Sequence, residues 1–180
     1  MKFLAANSKV PVPKVYATFK EPETKITFII MEYIPGDNLQ TLLPSLTPRD
    51  KANICQLIRT AIIDLRSIPP PEYLGGLDHR PYNDDVFWNE GLDPEISGPF
   101  ADQEEMNKGL LRKLGQSENP PYVQLLQNMV DTTLHGHRTV FTHGDLQPKN
   151  IMVERTGSYE DGCHALKSRL LIGKSPEIAG

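Results

Sequence analysis

The stretch TVFTHGDLQPKNIMV, Thr139 to Val153, decides how the rest of this chain is read. Two short apolar runs of strand type flank a polar octet, HGDLQPKN. One reading is an ordinary strand-turn-strand connection, because Asp and Asn are common turn residues. The other is a catalytic loop. In that reading the Asp145 carboxylate orients an attacking hydroxyl and takes its proton. Asn150 supplies a neutral oxygen of the hard type that Mg²⁺ prefers. Pro148 keeps the segment from continuing as a helix, so that both side chains can face one cleft.

The spacing is H-x-D, four residues, then N, which is that of the kinase catalytic loop. His143 belongs to the same catalytic group, with the expected task of fixing the loop by bonding backbone or carboxylate. The order of elements outward from the loop matters for choosing between the two readings. Upstream, VPVPKVYATFK is a proline-stiffened approach to a strand near Val15 to Phe19. EPETK is a turn, and ITFIIMEYI predicts a strand near Ile26 to Tyr33, broken by PGDN. These make an antiparallel hairpin, preceded by MKFLAANSK, which reads as the end of a helix.

Three amphipathic helices lie between hairpin and loop. In the first, Thr47 and Asp50 form a capping box around Pro48, and Ile54, Leu57, Ile58, Ala61, Ile62 and Leu65 share one face. Cys55, between apolar positions, is expected to be inert. The second helix starts at Asp102 and Glu105 and stops at Gly115. The third places Tyr122, Leu125, Leu126, Met129, Val130 and Leu134 on one face and stops at Gly136. The long connection before the second helix is of the functional or insertion-like kind.

The chain has 180 residues, 38% hydrophobic and 23% charged, which predicts a soluble globular protein. A net charge of −4 gives no general attraction to nucleic acid or anionic membrane. No run approaches the roughly 20 apolar residues of a membrane span, and the amino end is too short in apolar residues for a signal peptide. Cys55 and Cys163 form no disulfide framework, so a cytoplasmic location is expected. The sixteen prolines cluster in connections.

With these residues in this order, the chain resembles the aminoglycoside phosphotransferase family, the kinase-like group that includes choline and homoserine kinases. FIIMEYIPGDNL is similar to that family's hinge strand and FTHGDLQPKNIMV to its catalytic loop. Gly144 stands where protein kinases usually carry arginine, which favours the small-molecule branch. The segment from Ile68 to Asn107 looks most like fungal members. The resemblance implies an α+β, protein-kinase-like two-lobed fold, incomplete here: a remnant of the amino-terminal-lobe hairpin plus a helical lobe carrying the catalytic-loop strands. It implies ATP, with adenine against Met31, Glu32, Tyr33 and Ile34, mostly through backbone groups. It implies Mg²⁺ on Asn150, Asp145 as base, and a small-molecule hydroxyl as acceptor, whose identity is unknown.

Family parts without a match are a glycine-rich strand turn, a strand lysine for the nucleotide phosphates, and the strand aspartate that is the main magnesium ligand. Asp161 lies in a polar EDG turn with no apolar strand before it and is rejected as that ligand. The expected organisation is a partial domain over residues 1–157 and a divergent tail, 158–180, that is frame-shifted or mis-spliced. The codons of Leu171 to Pro176 can be chosen so that the bases, read from the third position, spell Asp-Trp-Glu-Ile-Ala, the missing motif. A non-catalytic nucleotide-binding or regulatory module, or an inactive fragment, remains the alternative to an enzyme.

Other features favour plainer readings. HGHR, His135 to Arg138, reads as a solvated helix end more than a metal site. Asp84 and Asp85 read as a solvated pair more than a cation subsite. Phe87 and Trp88 are expected to cover the core.

Overall fold

A computed structural model describes residues 1–91, 93–156, 165–170 and 177–179. In chain order the elements are α1 Lys2–Asn7, β1 Val15–Lys20, β2 Thr27–Met31, β3 Asp37–Asn38, α2 Leu39–Leu42 and a 3₁₀ turn Leu43–Ser45. There follow α3 Pro48–Arg66, β4 Gly75–Gly76, α4 Pro94–Ser97, α5 Gln103–Gly115, α6 Pro120–Thr133 and β5 Val140–Thr142. A 3₁₀ turn Pro148–Asn150, β6 Ile151–Thr156, β7 Ala165–Leu170 and β8 Glu177–Ala179 complete the described chain. The fold is mixed α+β.

The chain divides into two units, and the division does not fall at the hinge. One unit is Met1–Leu65 with Asp145–Gly173; the other is Arg66–Gly144 with Lys174–Gly180. In the first, β1 and β2 pair antiparallel, with Phe19 opposite Phe28 and their rings stacked at 5.2 Å. The second strand ends at Met31, two residues short of the expected Tyr33. Met31 already lies opposite Val15, the first residue of β1, and beyond it Gly36 turns the chain at φ +101°. All five residues of β2 are exposed, so its apolar run does not mark a buried face.

The predicted capping box of α3 is present. Asp50 N donates to Thr47 Oγ1 at 3.1 Å, and Thr47 N donates to Asp50 Oδ2 at 3.2 Å. Ile54, Ala61 and Leu65 are buried along one side of this helix. Cys55 is exposed, so its apolar neighbours in sequence do not enclose it. A second sheet has the order β3-β6-β7, with Asp37 opposite Val153 and Asn38 opposite Met152. Ile151 and Val153 of β6 are buried, which anchors the strand that leaves the loop.

The other unit holds α4, α5 and α6 with a small sheet of order β4-β8-β5. Its long connection is tied internally. Tyr82 stacks on Phe87 at 4.8 Å, and Phe87 meets Phe100 at 5.8 Å. Ser97, fully buried, accepts a bond from Asn89 Nδ2 at 2.6 Å and donates to Phe87 O at 2.8 Å. Gly109 of α5 lies under the Phe100 ring, where an added Cβ would come within 2.7 Å. Asp84 is a turn-former: its Oδ1 accepts Val86 N at 2.9 Å. Phe87 joins the aromatic cluster, but Trp88 is 51% exposed with Lys113 Nζ 6.0 Å from its ring, so only one of the pair covers the core.

The apolar face of α6 is covered only in part. Val130 is buried, while Tyr122, Leu125 and Met129 are exposed. Periodicity reports which side of a helix is apolar; it does not report whether a neighbour covers it. At the end of α6, His135 Nε2 lies 3.1 Å from Thr132 O, and His137 Nδ1 accepts from Gln103 Nε2 at 2.8 Å. Among the described residues no helix is long and apolar enough to cross a membrane. Asp161, Cys163 and Leu171 to Pro176 lie outside the described residues.

Candidate active site

The octet HGDLQPKN runs between β5 and β6, which belong to different sheets. The loop is therefore not a hairpin turn, and its shape comes from its own hydrogen bonds. His143 is buried at its start. Gly144 follows at φ +70°, in the left-handed region that glycine adopts without a steric penalty. The chain then crosses from one unit to the other at Gly144–Asp145.

From Asp145 on, each turn of backbone is closed locally. Gln147 N donates to Asp145 O at 2.9 Å, and Asn150 N donates to Gln147 O at 2.9 Å. Pro148 does more than end a helix: it opens a one-turn 3₁₀ helix, where its fixed φ fits and its missing N–H costs no bond. That turn brings Asn150 back over Asp145. Asn150 Nδ2 donates to Asp145 O at 2.9 Å and to Asp145 Oδ2 at 3.0 Å. Gln147 Nε2 donates to the other carboxylate oxygen, Oδ1, at 2.5 Å. Asp145 and Asn150 are half-buried, whereas Gln147 is exposed.

This arrangement brings together the carboxylate and amide that the spacing singled out, and adds Gln147, which sequence reasoning left without a role. The available signal was a long amide two residues after the aspartate. Because Asn150 spends its nitrogen on Asp145, its Oδ1 is the atom left to act as an oxygen donor. A carboxylate plus one neutral oxygen suits a hard cation that takes its remaining ligands from water and phosphate. Among the described residues no group of three or more His, Cys, Asp or Glu gathers, so the donor set here is a partial one.

The hinge segment lies in the same unit as Asp145 and Asn150. Met31 closes β2 opposite Val15. Glu32 is committed to β1's approach: its N–H donates to Lys14 O at 2.7 Å, and its Oε2 accepts Lys14 N at 3.1 Å. Tyr33 is 84% exposed and Ile34 is buried. Three residues on, β3 pairs with β6, so the exit from the hinge is bonded to the strand that carries the loop. Gly36 makes that approach possible, since a Cβ there would sit 2.4 Å from Val153 O.

A hairpin, a hinge, intervening helices and a loop closed by an aspartate-asparagine pair follow the order of a kinase-like phosphotransferase. The chain belongs to the phosphotransferase enzyme family (APH), whose family model matches residues 1–162. No curated protein matches it.

Proposed function

We propose that this chain carries the catalytic loop of an ATP-dependent phosphotransferase acting on a small-molecule hydroxyl. The observation that supports this best is the Asn150 amide held 3.0 Å from the Asp145 carboxylate. Asp145 takes the hydroxyl proton as the acceptor oxygen bonds to the terminal phosphorus, and the bond to the departing ADP breaks. A base so placed contributes ~10²–10⁴-fold in rate. Asn150, through Oδ1, would help hold Mg²⁺, which when bound neutralises charge on the nucleotide phosphates. His143, buried where β5 ends, fixes the start of the loop.

Adenine would lie against Met31 to Ile34. Since Glu32 N–H is given to Lys14, the backbone of Tyr33 and Ile34 is the better candidate for its recognition. The same reading takes the chain as a fungal-type member with residues 158–180 read from a shifted frame. Pairing of β7 and β8 does not oppose it, because backbone pairing tolerates most sequences. A coding sequence without the Asp-Trp reading ends the frame-shift idea.

The test of function is magnesium-dependent ATP binding and turnover by the intact chain. Turnover that is lost in Asp145→Asn supports the enzyme. Binding without turnover assigns the chain to a nucleotide-binding module, and absence of both removes the nucleotide reading.

A further inference from the structure

The Asp145 carboxylate is gripped from two sides, and only one grip belongs to the spacing of the motif. Asn150 takes Oδ2 at 3.0 Å; Gln147 takes Oδ1 at 2.5 Å. A carboxylate on a single bond rotates, and each further donor narrows that rotation. Two donors on opposite oxygens fix the plane. Gln147 is itself held on both sides, through its N–H to Asp145 O and its carbonyl from Asn150 N, each at 2.9 Å. Pro148 follows it at fixed φ, so the Gln147 side chain leaves from a defined backbone.

We infer that Gln147 is a positioning residue: its amide sets the direction in which the Asp145 carboxylate faces an acceptor hydroxyl. The inference rests on Asp145 being the base. A neutral amide suits this task because it orients the carboxylate without placing a cation on it. A charge-assisted bond of this kind is among the stronger single hydrogen bonds. A misdirected base slows the chemical step while leaving nucleotide binding alone.

The test has a kinetic arm and a spectroscopic arm, both on the intact chain. In Mg-ATP hydrolysis, Gln147→Glu, which keeps the shape and loses the donor, and Gln147→Leu should lower kcat by about 10- to 100-fold. The KM for ATP should stay within about twofold. Gln147→His, which retains an N–H the same number of bonds from Cα, should recover most of the rate. Melting temperatures should not separate the variants, since Gln147 is exposed. A fall in KM-determined affinity with unchanged kcat, or no rescue by histidine, overturns the inference. Separately, the side-chain amide signal of Gln147 in a ¹⁵N-labelled protein should move on Asp145→Ala. If the wild-type chain hydrolyses no ATP, the reading of Asp145 as a base fails. The amide signal then decides alone whether Gln147 orients this carboxylate, and a signal indifferent to Asp145→Ala overturns it.

Discussion

Asn150 turns its amide nitrogen onto Asp145, 3.0 Å from one carboxylate oxygen and 2.9 Å from the backbone carbonyl. Five residues apart in sequence, they are joined by a single 3₁₀ turn. One side chain thus closes the loop.

Asn150→Ala should therefore affect two measurements together. Magnesium-dependent ATP binding, followed by titration calorimetry, is expected to weaken by at least about tenfold, since losing a metal ligand costs no less than losing the partner that supports one. Turnover should fall further than binding, because Asp145 loses the amide donor on its Oδ2. Equal ATP affinity in the presence and absence of the asparagine would exclude it as a metal ligand.

Gly36→Ala tests the link between hinge and loop strand. At φ +101° the new Cβ would press on Val153 O at 2.4 Å, and neither backbone can retreat without breaking β3–β6 pairing. The expected cost is at least ~2 kcal/mol in chemical denaturation, from backbone strain and overpacking together. A change below about 0.5 kcal/mol, the range of an ordinary surface substitution, would show that this approach is not needed.

Ser97→Ala should loosen the long connection of the second unit. The hydroxyl is fully buried and bridges Asn89 and Phe87, so its removal leaves a buried amide and a carbonyl short of a partner. A loss of about 1–3 kcal/mol is expected. Amide exchange should rise between residues 87 and 97 before it rises in α5; a uniform rise would place the effect elsewhere.

Thr47→Ala removes the side-chain half of the α3 capping box, since Asp50 N then has no hydroxyl to bond. The melting transition should report a loss of about 0.5–2 kcal/mol, and Thr47→Ser should restore it. Equal stability of the alanine and serine variants would count against the cap.

Much of the fold was legible because its signals are local. The α3 cap is written within four residues, and the start of α5 is marked by Asp102, which accepts the N–H three residues on. The hairpin followed from two β-prone runs and a turn. Less was legible where the outcome depends on what lies opposite. The apolar run of β2 is exposed throughout, Trp88 faces outward, and α6 buries Val130 but not Leu125. These are statements about neighbours distant in sequence, and periodicity carries no information about them.

The candidate site divides in the same way. The sequence by itself determined that an aspartate and an asparagine stand at catalytic-loop spacing after a strand, and that the chain is of the kinase-like phosphotransferase type. Only the tertiary structure decided that Pro148 opens a 3₁₀ turn, that this turn places the Asn150 nitrogen on Asp145, and that Gln147 claims the other carboxylate oxygen. The physical reason is that spacing fixes which groups are available, whereas direction is set by torsion angles. Those angles are held here by a strand, β6, whose partner β3 lies more than a hundred residues earlier in the chain.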